Sequence, residues 1–97
     1  MRGDWQLVRV TADRVIHHYG QGDDCAYALT VDASARPPRY APRGVGAQVL
    51  GRAYSGIWRV EGDTLTLCYN EGRERHPTSF DGAGKGAYTE VHERNGR

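Results

Sequence analysis

The sequence predicts a small all-β domain built from antiparallel hairpins, and three observations lead there. Residues 53–61 and 64–70 are rich in aromatic, β-branched and threonine side chains and flank Gly62-Asp63, a two-residue hairpin signal. Residues 25–32 alternate, with Cys25, Tyr27, Leu29 and Val31 on one side and Ala26, Ala28, Thr30 and Asp32 on the other. Glycine is abundant, with 13 residues in 97, which suits a fold with many turns.

Taken in order, residues 4–11 read as a strand with Trp5 and Leu7 on one face and Val8 and Val10 on the other. Ala12-Asp13 is a turn and residues 14–19 are the returning strand; no helical period fits this region better. Residues 20–24 form a polar turn before the alternating strand 25–32. Residues 33–46 hold Pro37, Pro38 and Pro42 and three arginines, which predicts a loop or irregular edge and bars a helix. Residues 48–51 form a short strand leading into the central hairpin.

In that hairpin a turn at Gly62-Asp63 pairs Glu61 with Thr64, Val60 with Leu65 and Trp58 with Leu67. Tyr54, Trp58, Val60, Leu65, Leu67 and Tyr69 then share an apolar face. The opposite face is polar except for Ile57 and Cys68. A one-residue slip would turn every side chain over, so the pattern itself selects the register. Beyond it, residues 71–76 form a charged turn, 78–80 begin a short strand, 81–86 are a glycine-rich turn, 87–93 are the closing strand, and 94–97 fray. One domain spans residues 1–97.

The stretch SGIWRVEGDTLTLC followed by ERHPTSF resembles the lipocalin-like conserved domain family expanded in planctomycete-type bacteria. Gly56, Ile57, Gly62, Asp63, Leu65, Leu67 and Cys68 match its hairpin pattern. Glu74, Arg75, Pro77, Thr78 and Phe80 match its E-R-P-T-x-F pattern, and Val31, Asp32, Ser34, Ala35 and Pro37 resemble an earlier one. Trp58 replaces the usual Tyr, and His76 is inserted between Arg75 and Pro77. The resemblance implies a small antiparallel lipocalin-like barrel, or an open half-barrel, because the alignment leaves one family strand missing. It implies no activity.

Composition excludes more than it assigns. Both charge signs nearly balance, at a formal +1, which argues against binding nucleic acid by charge. No apolar run is long enough to span a membrane, and the first residues lack the pattern of a signal peptide, so the expected location is cytoplasmic. The two cysteines, Cys25 and Cys68, read as reduced, buried thiols, and without suitably spaced histidines they make no zinc motif. His17 and His18 are adjacent and point to opposite faces of a strand; they, His76 and His92 read as solvent-facing or packing residues. Ser34, Ser55 and Ser79 lack a nucleophile-elbow context. No catalytic residue, metal or cofactor is predicted, and an enzyme is not the expected reading. Arg75 either fixes a loop by pairing with Asp32 or holds an anion at a pocket mouth.

Two functions stay open. One is a non-enzymatic binding module for a small apolar or amphipathic ligand, lined by Trp58, Tyr27 and Leu67 with Arg75 near the rim. The other is an interaction or structural module with a filled core, acting through an exposed sheet edge, for example as a homodimer. A hydrolase using an acid and a histidine at a barrel mouth ranks behind both.

Overall fold

A computed structural model describes residues 1–18, 24–72, 76–80 and 87–95. Eight antiparallel strands follow one another around a single sheet: β1 Gly3–Trp5, β2 Val8–Val10, β3 Arg14–His18, β4 Asp24–Asp32, β5 Arg39–Gly44, β6 Tyr54–Glu61, β7 Thr64–Glu71 and β8 Tyr88–Glu93. Among the described residues no helix forms, so none is long and apolar enough to cross a membrane. β8 returns to β1 through a bridge between Trp5 and Arg94, flanked by bonds from the Gln6 N–H to the Glu93 carbonyl and from the Asn95 N–H to the Asp4 carbonyl. The result is a nearly closed up-and-down barrel, the arrangement that removes exposed sheet edges.

The central hairpin has the register its pattern demands, with Glu61 opposite Thr64, Val60 opposite Leu65 and Trp58 opposite Leu67. Gly62 takes a φ of 59°, the positive value that the first position of a tight hairpin turn requires. Its inner face joins the barrel core with Trp5, Val8, Val10, Val15, Cys25, Tyr27 and Tyr40. Ile57 and Cys68 interrupt the polar outer face for a reason. The segment after β7 folds back over them: the Gly72 carbonyl accepts from Ser55 Oγ, the Ser79 carbonyl accepts from Cys68 Sγ, and Phe80 lies under the Arg59 guanidinium. Ile57, Ser55 and Cys68 are thus buried on the outside of the barrel wall. Cys25 belongs to the inner core and Cys68 to this outer layer, and both are free thiols.

Several expectations are corrected. Residues 4–11 are not one strand but the β1–β2 hairpin, turning at Gln6-Leu7 with Leu7 at φ 70°. The turn resets the alternation, so Trp5, Val8 and Val10 all point inward and Leu7 is exposed. Part of the proline-rich stretch expected to be a loop or irregular edge is strand β5, which pairs with β4 over six residues in spite of Pro42. Residues 48–51 form a turn rather than a strand; Val49 is buried there, and its carbonyl packs on Gly44 so closely that a Cβ at Gly44 would lie 1.8 Å from it. Eight strands build the barrel among the described residues, and Arg94 and Asn95 make its closing contacts, through the bridge to Trp5 and the bond to the Asp4 carbonyl. The turn at 20–24, the Arg75 pairing and the turn at 81–86 fall on positions wholly or mainly outside the described residues. Asp32 itself accepts bonds from the Ser34 N–H and hydroxyl, holding its own turn.

Candidate functional site

Two features of the barrel wall place the site. β1 is three residues long and the chain then turns away, so among the described residues the β8 edge from Tyr88 to Val91 has no neighbouring strand. Within β8, Arg94 donates to Asp63 on the β7 side and Glu93 accepts from Gln6 on the other. Strand alternation therefore aims the N–H and C=O groups of Thr89 and Val91 away from β7, where they find no backbone partner among the described residues. The opening is a notch lined by Gln6, Leu7, His17, Glu90, Val91, His92 and Glu93.

Behind the notch lies an interior cavity of about 110 Å³. His17 and Glu90 border both spaces, so they stand between the cavity and the outside. Tyr27, Tyr40, Tyr54, Tyr69 and Leu67 form much of the remaining wall. Gly56 explains part of this shape. A Cβ there would fall 2.4 Å from the Tyr40 ring, so only glycine lets that ring lie against the strand. The second seam that opens is β5–β6. Pairing stops after Tyr40–Gly56 and resumes as a single bridge at Arg43–Ala53. Pro42, which has no N–H to donate, sits in the gap and lines both the cavity and an outer groove beside Ser55 and His76.

Glu90, His92, His17 and Tyr69 form the polar heart of the site. Tyr69 Oη donates to Glu90 Oε2. His92 Nδ1 lies 2.8 Å from the Gln6 carbonyl, and its Nε2 lies 2.9 Å from Glu90 Oε1. A carbonyl can only accept, so Nδ1 carries a proton. With Glu90 ionised, Nε2 carries one too, and His92 is an imidazolium. Glu90 holds the His92 pKa up, and the bonds from His92 and Tyr69 hold Glu90 below its ordinary value against the opposing effect of burial. His17 Nδ1 is 3.8 Å from Glu90 Oε1, yet its pKa is lowered, chiefly by burial and also by His92 and His18. Around one carboxylate, one histidine is held toward its charged form and the other toward its neutral form.

The rings continue this cluster around the cavity. His17 meets Tyr27 edge to face at 5.6 Å, Tyr27 meets Tyr54 at 5.9 Å, and Tyr54 meets Tyr69 at 5.4 Å. Tyr69 then bonds Glu90, which faces His17 again. Four rings and one carboxylate close a collar.

Of the residues expected to line a ligand site, Tyr27 and Leu67 border the cavity and Trp58 is not among its lining. The Tyr40 ring occupies the space over Gly56, the inner-face position between Tyr54 and Trp58. Trp58 instead packs against the core, with its indole N–H buried and unpartnered among the described residues. Arg75 lies outside the described residues. The histidines are expected from the sequence to face solvent or to pack; His17 packs on the Tyr27 ring, and the barrel also brings His17 and His92 beside Glu90, a meeting the sequence does not anticipate. Among the described residues no group of His, Cys, Asp and Glu is arranged to hold a metal ion. Alternation on residues 87–93 offered one signal for the missed residues, since it places Glu90 and His92 on the same face.

No protein-family model matches the chain, and no curated protein or solved structure shows significant similarity to it.

Proposed function

We propose that this protein is a binding module for one small amphipathic molecule held in the barrel cavity. The observation that carries this reading is the closed collar of His17, Tyr27, Tyr54, Tyr69 and Glu90 around a cavity of about 110 Å³. Apolar walls with a few convergent polar groups are the usual make-up of a ligand pocket. The volume sets the guest's size. Drug-sized pockets run to several hundred Å³, whereas a cavity of about 150 Å³ takes benzene. The ligand is therefore a single compact group and not a long acyl chain. Leu7 and Val91, 65% and 62% exposed, give the notch an apolar lip through which such a molecule can pass.

Kinship with the lipocalin-like family belongs to the same proposal; its motif residues Gly62, Asp63, Leu65 and Leu67 fall at the turn and on the inner face of the central hairpin. The test is a fragment screen by NMR, using neutral and charged molecules no larger than a benzene ring with one substituent. Selective shifts at Tyr27, Leu67 and His17 support the reading. A screen in which no fragment moves a cavity resonance of the folded protein sinks it.

A second reading has one observation in its favour. The free β8 edge at Thr89–Val91, with Tyr88 and Val91 exposed beside it, suits antiparallel pairing with a second copy. Sedimentation over a hundredfold concentration range separates the two. A concentration-dependent dimer that loses its self-association on Val91→Pro supports edge pairing; a monomer throughout removes it.

A further inference from the structure

Resting on the cavity-binding reading, we infer that the guest is a compact organic cation, a methylated ammonium or small amine. It would be seated on the tyrosine rings with its charge against Glu90. Three observations converge on this class. The first is the wall itself. Ammonium groups bind where aromatic rings surround them, because the ring faces are electron-rich. Here Tyr27, Tyr54 and Tyr69 meet in succession around the space, and Glu90 closes the ring they form.

The second is hydrogen-bond accounting at Glu90. An ionised carboxylate only accepts and offers about four lone-pair positions. Tyr69 takes one and His92 Nε2 another, which leaves capacity for a donor or a positive charge from the guest. The cation already present is committed elsewhere: His92 spends both ring N–H groups, on Glu90 and on the Gln6 carbonyl. An anionic guest would meet the Glu90 carboxylate, and the described cavity lining supplies no lysine or arginine to hold it. A purely apolar guest would strip water from the carboxylate and return nothing.

The third is the approach. The notch presents Glu93 and Glu90, and neither its described lining nor that of the cavity includes a lysine or arginine side chain. With His92 charged against Glu90, the notch keeps the negative charge of Glu93, and a mouth of that sign favours a cation over an anion.

The experiment compares choline with 3,3-dimethylbutan-1-ol, its neutral counterpart of the same shape, by NMR titration of the full chain at neutral pH. Choline is expected to shift His17, Tyr27 and Tyr54 resonances and to bind at least about tenfold more tightly than the alcohol, with Glu90→Gln erasing that preference. Tyr54→Leu, which keeps the carboxylate, is expected to weaken choline by a similar factor. Each variant is first shown to keep a cooperative thermal transition, so that Tyr54→Leu decides the matter if Glu90→Gln does not fold. Equal binding of the alcohol and choline, or an undiminished preference in both folded variants, overturns the cation assignment while leaving the cavity-binding reading intact. Shifts from neither compound overturn the cation assignment, and the wider fragment screen then decides whether the cavity binds anything.

Discussion

Two seams of the barrel differ sharply. β6 and β7 pair over eight consecutive residues, with the core on their inner face and the 76–80 segment over Cys68 on the outer one, while residues 59–61 at the turn end stay exposed. β8 and β1 share one bridge and two flanking backbone bonds, and past Gln6 no described strand continues the wall. The first seam is dry and redundant. The second carries the charged pair Glu90–His92 and the mouth of the cavity. The difference teaches where this barrel keeps its stability and where it gives some up. The backbone groups of Thr89 and Val91 that the ladder leaves without a described partner lie beside the polar cluster of Glu90, His92 and His17.

Hydrogen exchange gives the largest contrast. The amides of Ile57 and Cys68, opposite one another in the buried hairpin, are expected to exchange only on global unfolding, while those of Thr89 and Val91 exchange at least about a thousandfold faster. Comparable protection at the two seams would mean that the β8 edge is covered, and the comparison would break.

Substitution in the dry seam comes next. Leu65 is fully buried on the inner face, so Leu65→Ala is expected to cost about 2–5 kcal/mol in denaturant unfolding. A loss below about 1 kcal/mol would show that the hairpin is not the anchor of the core.

At the open seam the expected effects are smaller and depend on pH. Glu90→Gln replaces a charge-assisted partner of His92 and Tyr69 and is expected to cost about 1–3 kcal/mol near pH 6. His92, whose folded pKa is raised, contributes stability that is complete below about pH 6.5 and is lost as pH rises through the raised value. Glu90, whose folded pKa is lowered, contributes above about pH 4.3, and that is lost as pH falls through the lowered value. His17, lowered, runs opposite to His92 and costs stability as pH falls below about 6.5. Imidazole NMR titration is therefore expected to find His92 losing its proton at higher pH than His17, with the gap narrowing in Glu90→Gln. The reverse order would remove the ion pair from the site.

The smallest effect belongs to the closing bridge. Arg94 lies 4.2 Å over the ring of the buried Trp5 and 3.2 Å from the exposed Asp63 carboxylate. Arg94→Ala is expected to lower stability by about 0.5–1 kcal/mol, read from the thermal midpoint. A much larger loss would mean that this single contact, rather than the sheet as a whole, holds the barrel shut.

What was legible in the sequence follows the same division. Trp58, Leu65 and Leu67 sit on the face that period-two alternation assigned them, and the Gly62 turn sets their partners. β4 is equally plain, with Cys25, Tyr27 and Leu29 directed to the core. β5 was hidden because proline and arginine are poor strand signals, and Pro42 is tolerated only where the β5–β6 ladder parts. The β1–β2 turn was hidden because Leu7 takes a positive φ without the glycine or asparagine that usually marks one. The site was half legible. Tyr27 and Leu67 could be named as inward residues, but an inward residue lines a cavity only if its neighbours leave space, and Tyr40 over Gly56 takes that space from Trp58.

The sequence by itself determined the local pairings: the central hairpin, its register, the β4 alternation and the inward set of tyrosines. These depend on neighbours a few residues apart, through turn geometry and the two-residue period of the strand. Only the tertiary structure decided that the sheet closes, that the closure stops at Gln6, and that His17 and His92 meet on Glu90. Closure depends on the accumulated twist and stagger of all eight strands, which no local pattern encodes. The charges at the mouth follow from that closure, because His17 and His92 come from strands separated by most of the chain and become neighbours only where the barrel returns on itself.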